Sequence, residues 1–194
     1  MDGSTDLAGL QRAAAHLGRP DAVARVGPST YLLSVPVTVG RSGGLGISDT
    51  QLRLMSGAGR LVGVEARGGR IKIDGSTITS WDPTTASADA NIADGRSYVL
   101  ARDGARLDVT ASVVEMLGYD AADRVGFSWR SPGSGGRIDD SRFIGNFHGA
   151  SLSSVAPMEI TNSMFERSTV HGLDSHTSRD LVISSNVFRD NGGS

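Results

Sequence analysis

The chain has 194 residues, 38% of them hydrophobic and 21% charged, enough for one domain with a sizeable core. A net charge of −2 offers no overall basic surface for nucleic acid, and the absence of cysteine excludes disulfides, thiolate metal sites and thiol nucleophiles. No apolar run approaches the ~20 residues of a membrane span, whereas 26 glycines against six prolines point to many tight turns between short strands.

The opening MDGSTDL lacks the pattern of a signal peptide. The chain is read as the trimmed form of an exported protein, extracellular or periplasmic, with the cytoplasm as the other option. The first predicted element is a helix over about 5–17, TDLAGLQRAAAHL. Thr5 or Asp6 is its expected N-cap, and Leu7, Leu10, Ala14 and Leu17 fall on one face. Gly18 and Pro20 stop it. Residues 1–28 are expected to form a cap over the rest, 29–194.

That remainder is repetitive. LGISDTQLRL (45–54), IKIDGSTITS (71–80), LDVTASVVEM (107–116), GRIDDSRFIG (136–145), MEITNSMFER (158–167) and LVISSNVFRD (181–190) align. One column reads Ile47, Ile73, Val109, Ile138, Ile160, Ile183, at spacings of 26, 36, 29, 22 and 23 residues. Three positions on comes a small polar column, Thr50, Ser76, Ser112, Ser141, Ser163, Asn186, then an apolar one, Leu52, Ile78, Val114, Phe143, Phe165, Phe188. Period-2 apolar positions around a polar bend are two short strands. Repeats of this length built only from strands predict an all-β fold, a right-handed parallel β-helix of about six coils, with the helix plugging its N-terminal end. No equivalent cap is visible beyond Leu181–Asp190, so further C-terminal coils are expected, or self-association through the uncapped coil.

A third strand series lies between these repeats: GVEAR (63–67), VLAR (99–102), GFSWR (126–130), GASLS (149–153) and GLDSH (172–176). Val64, Ala66, Val99, Ala101, Phe127, Trp129, Ala150, Leu152, Leu173 and Ser175 alternate inward. The outward columns read Glu65, Leu100, Ser128, Ser151, Asp174 and Arg67, Arg102, Arg130, Ser153, His176. Arginines on successive coils, ~4.8 Å apart, suit a polyanion whose carboxylates they grip as bidentate forks. The plainer reading is a solvated face whose arginines pair with Glu65 or Asp174.

Residues 82–97, DPTTASADANIADGRS, break the coil rhythm and are read as a loop beside the cleft. Ser131–Gly136 and Gly40–Gly46 are glycine-rich turns rather than phosphate cradles, because no helical pattern follows either. No cofactor motif or metal cluster is present; calcium on loop carboxylates stays an open alternative.

In Gly172-Leu173-Asp174-Ser175-His176 a carboxylate and an imidazole at i and i+2 share one strand face, the arrangement by which an acid orients a base. His148 and His171 each precede the glycine that opens their strand, so they are expected to stack at the upstream edge of that face. His176 would then flank a bound sugar on one side, with His171, His148 or Tyr119 on the other. As plain turn residues, His148 and His171 would do nothing chemical.

The segment His171-Gly172-Leu173-Asp174-Ser175-His176, with YVLARDGARLDV, LGYD, GFSWR and DDSRFIGNFHGASLS around it, resembles the mannuronan C5-epimerases, whose signature is Asp-Pro-His. The resemblance covers roughly residues 30–194. Ser175 stands in place of the proline, and His171 at a position often Tyr. It implies a cleft for alginate or a similar polyuronate, with Asp174 and His176 catalytic. Arg130, with Arg102 and Arg67 at neighbouring subsites and His148, Ser153 and Glu65 nearby, would bind substrate. Arg130 would neutralise a uronate carboxylate, His176 would exchange the C5 proton, and His171 or Tyr119 would serve the opposite face. The alternatives are a lyase acting by β-elimination, a non-catalytic carbohydrate-binding β-helix and an inactive fragment.

Overall fold

The structure, a computed structural model, describes residues 3–57 and 60–193. The chain winds into a right-handed parallel β-helix with three walls. The first wall stacks Gly3–Asp6, Gly43–Ser48, Arg70–Asp74, Arg106–Thr110, Gly135–Asp139, Met158–Thr161 and Leu181–Ser184. The second stacks Thr30–Leu33, Gln51–Gly57, Thr77–Asp82, Val113–Glu115, Arg142–Ile144, Met164–Glu166 and Val187–Arg189. Val37–Val39, Gly63–Arg67, Tyr98–Arg102, Gly126–Arg130, His148–Ser153 and Leu173–His176 make the third.

The repeat columns are the register of these sheets. Ile47, Ile73, Val109, Ile138, Ile160 and Ile183 are successive partners on the first wall. Leu52, Ile78, Val114, Phe143, Phe165 and Phe188 are successive partners on the second. Like side chains therefore sit on like side chains: Phe143 stacks on Phe165 at 4.9 Å between ring centroids, and Phe165 on Phe188 at 5.1 Å. Gly136 interrupts its column, between Leu107 and Met158, because a side chain there would strike the Leu107 carbonyl, the group to which the Trp129 indole donates from Nε1 at 3.2 Å. Gly43, Gly44, Gly46, Gly135 and Gly136, expected in turns, belong to strands of this wall.

The small polar column turns the corner between the first and second walls. Asp49, Gly75, Ala111, Asp140, Asn162 and Ser185 adopt φ between 47° and 57° there, and each preceding coil's backbone N–H is met by a side chain one coil on. Thr50 N donates to Ser76 Oγ (3.2 Å), Ser76 N to Ser112 Oγ (3.0 Å), Ser112 N to Ser141 Oγ (3.2 Å), Ser141 N to Ser163 Oγ (3.1 Å) and Ser163 N to Asn186 Oδ1 (2.9 Å). Asn146 repeats the device at the next corner, accepting from Leu117 N at 2.8 Å and donating to Val114 O at 3.1 Å.

The helix runs Leu7–His16, capped by Asp6, whose carboxylate accepts from Gly9 N at 2.7 Å. Thr5 instead belongs to a strand paired with Gly43–Ser48. Leu7 and Leu10 are buried on the first coil, but Leu17 is 75% exposed. Leu17 lies at the C-cap, just before the chain turns at Gly18 (φ 72°), and so leaves the apolar face. Val23–Gly27 forms an antiparallel hairpin with Thr30–Leu33 and edges the second wall.

Residues 82–97 are anchored rather than loose. Arg96, 1% exposed, donates to the carbonyls of Gly118 (2.9 Å), Gly145 (3.0 Å) and Leu117 (3.2 Å). Buried Asp89 accepts from Ser56 Oγ at 2.6 Å. Burial pushes the Arg96 guanidinium down to about 10, against the pull of Asp89.

Candidate functional site

The outer face of the third wall carries the proposed site. Period-2 alternation sends Val64, Ala66, Val99, Ala101, Phe127, Trp129, Ala150 and Leu152 into the core and the other set outward. Arg67 is the register partner of Arg102, Arg130 of Ser153, and Ser153 of His176. Arg130 and His176 thus project from the same wall two coils apart, about 10 Å along the stack.

Asp174 is the centre of this face. Its Oδ1 lies 2.9 Å from His176 Nε2, and its Oδ2 accepts from Ser151 Oγ at 3.2 Å. Ser151 Oγ in turn accepts from Arg130 Nη2 at 3.2 Å. Arg130, Ser151, Asp174 and His176 therefore form one continuous chain across three coils. With Nε2 facing the carboxylate, the lone pair of His176 falls on Nδ1, directed away from Asp174. Ser151 belongs to the outward column, but nothing in its residue type marked it as the link.

On the other side of Asp174 stands His148, its buried Nδ1 3.9 Å from Oδ2 and without a hydrogen-bond partner among the described residues. The His148 and His171 rings meet edge to face at 5.4 Å. Burial holds His148 below its ordinary value; the Asp174 charge opposes this, while His171, Arg130 and His176 add to it. An imidazole thus lies on each side of the Asp174 carboxylate. His176 is 69% exposed, on the outermost strand of the wall among the described residues.

The arginine column is in register but not free. Arg67 Nε lies 3.0 Å from Glu65 Oε1, which also stands 4.0 Å from Arg102 Nε. Asp123, in the loop before Gly126–Arg130, reaches over the wall: Oδ2 is 3.5 Å from Arg102 Nη1 and Oδ1 3.5 Å from Arg130 Nε. Leu100, Ser128 and Ser151, expected to face solvent, are instead buried beneath these outer groups. Tyr119 opens the same loop, and its hydroxyl accepts from Arg124 Nη1 at 3.1 Å, with no bond to either histidine. Sequence reasoning missed Asp123, Ser151 and Arg96. Among the described residues no three His, Asp or Glu side chains group as ligands for a metal ion.

No protein-family model matches the sequence, and no curated protein matches it. Solved structures do. The crystal structure of the periplasmic alginate epimerase AlgG is similar over 95% of this chain, with a TM-score of 0.84 and 21% identity. A double mutant of the same protein gives a TM-score of 0.86 and 22% identity. The chain spans 46% of the length of these proteins. At such identities the likeness is one of fold.

Proposed function

We propose that this chain is the polyuronate-handling part of a polysaccharide C5-epimerase, extracellular or periplasmic, acting on alginate or a similar polymer. The observation that carries the reading is the Arg130–Ser151–Asp174–His176 chain, which puts a carboxylate-binding guanidinium and an oriented imidazole on one wall. The fold shared with an alginate epimerase supports it.

Arg130 pairs with the uronate carboxylate, which takes up the electron pair released when the C5–H bond breaks. His176, held at Nε2 by Asp174, accepts the C5 proton at Nδ1. A proton returned to the other face of C5 inverts it. His171, packed against His148, suits this role better than Tyr119, whose hydroxyl is already engaged by Arg124. If the C4–O bond breaks before the proton returns, the same intermediate gives an unsaturated sugar end, the lyase outcome.

A second reading, a carbohydrate-binding β-helix without chemistry, is favoured by the exposure of His176 and by Asp123 occupying the arginines. Proton NMR of polymannuronate in D₂O separates the two. C5 exchange that disappears in His176→Ala and drops about a hundredfold in Asp174→Asn is the epimerase result. Binding without exchange establishes the second reading, and a rise in unsaturated ends identifies a lyase.

A further inference from the structure

Around the corner from the arginine column, the bends that lead from the third wall back to the first leave a trough. It is lined by Ser4, Arg41, Gly44, Gly68, Arg70 and Arg106, among others, and encloses about 290 Å³. Its floor is bare backbone for a packing reason: a side chain at Gly69 would strike the Val39 and Gly40 carbonyls, and one at Gly44 would meet Ser4 Oγ. The guanidiniums form its sides. Arg41 lies across Gly68, its Nε 3.5 Å from where a Cβ would stand. Arg70 and Arg106 are register partners on neighbouring strands, the placement in which like charges repel.

On this wall a cation is otherwise neutralised by a carboxylate two residues on. Lys72 pairs with Asp74 at 3.1 Å, Arg106 with Asp108 at 2.7 Å and Arg137 with Asp139 at 2.7 Å. Arg70 breaks the pattern, because two residues on stands Lys72, itself a cation. Neither Arg41 nor Arg70 has a hydrogen-bonding or ion-pair partner among the described residues. Two uncompensated guanidiniums, a third beside them and a floor without side chains make a receptor for an oxyanion, which would relieve the repulsion the register imposes.

We propose that this trough is a second anion-binding site that takes the carboxylate of an acidic glycan. Arg67 and Arg70 flank the single bend Gly68-Gly69, so the trough continues the arginine column around the corner. That the glycan is the polymer bound on the third wall rests on the reading above; the anion site does not.

The test is an NMR titration of the arginine Nε–Hε resonances in the full chain. The probes are a mannuronate tetramer, a neutral mannose tetramer and sodium sulfate at matched ionic strength. The mannuronate tetramer should shift Arg41 and Arg70 at concentrations at least about tenfold below sulfate. Arg70→Ala should weaken the Arg41 response about tenfold, and Arg130→Ala should leave it intact. No shift with mannuronate, an equal response to the neutral tetramer, or sulfate matching mannuronate would overturn the proposal. So would loss of the Arg41 response in Arg130→Ala. Shifts at Arg41 and Arg70 with none at Arg130 in the unaltered chain would sustain the trough and remove the third-wall reading instead.

Discussion

The carboxylate of Asp123 stands 3.5 Å from Arg130 Nε and, through its other oxygen, 3.5 Å from Arg102 Nη1. It holds the two guanidiniums as a uronate carboxylate would, so on the proposed function an incoming acidic sugar displaces it. Asp123→Asn should therefore tighten polymannuronate binding about two- to fivefold, the effect of releasing a partly exposed ion pair worth up to ~1 kcal/mol. Asp123→Glu should leave affinity near that of the parent. Isothermal calorimetry on the three proteins checks this, and an unchanged affinity in Asp123→Asn would mean the loop does not compete.

His148 gives the fold an acid sensitivity of its own. Its ordinary value is 6.5, and burial lowers this in the folded state, with Asp174 opposing. Below about 6.5 the unfolded chain therefore binds a proton that the folded chain resists, down to the depressed folded value. The stabilisation is complete at neutral pH and is lost as pH falls through that window. Melting temperatures from about pH 7.5 to 5.5 should fall less in His148→Gln than in the parent.

Arg96 ties the 82–97 excursion to two later coils through three carbonyls. Arg96→Met keeps the bulk of the stem but removes the donor from the Gly118 and Gly145 carbonyls, whereas Leu117 O keeps the Phe147 N–H. A loss of roughly 3 kcal/mol is expected by denaturant unfolding. Limited proteolysis should begin within 82–97 in the variant and elsewhere in the parent.

Asn146 satisfies a donor and an acceptor of the preceding coil at one bend. Asn146→Ala strands both in a buried corner and should cost about 2 kcal/mol. Ser112→Ala, which orphans only the Ser76 N–H, should cost about 1 kcal/mol. Equal losses in the two variants would contradict the bonding described at these corners.

The walls were legible in the sequence because a coil repeats its own environment. Ile47 and Ile183 occupy the same place relative to their neighbours, so the apolar and polar columns recur at every turn and can be aligned. Arg130, Ser153 and His176 share an outer column for the same reason. Asp123 and Arg96 were not legible because they lie in excursions that occur once and have no counterpart in other coils. Ser151 was hidden differently: its position was correct, but only the side-chain geometry shows it joining Arg130 to Asp174. Leu17 was misplaced because helical periodicity was extended one residue past the point where the backbone leaves the helix.

The side-chain hydrogen bonds at the corners have a direction. From Thr50 to Ser163, a backbone N–H waits for an oxygen that arrives with later sequence. By these side-chain bonds each layer is finished by its successor, while backbone bonds at the same corners, such as Thr77 N to Thr50 O and Val113 N to Ser76 O, tie each layer back to its predecessor. Growth from the ribosome therefore completes the corners of each layer only when the next is made, and damage to any one layer loosens the neighbours on both sides.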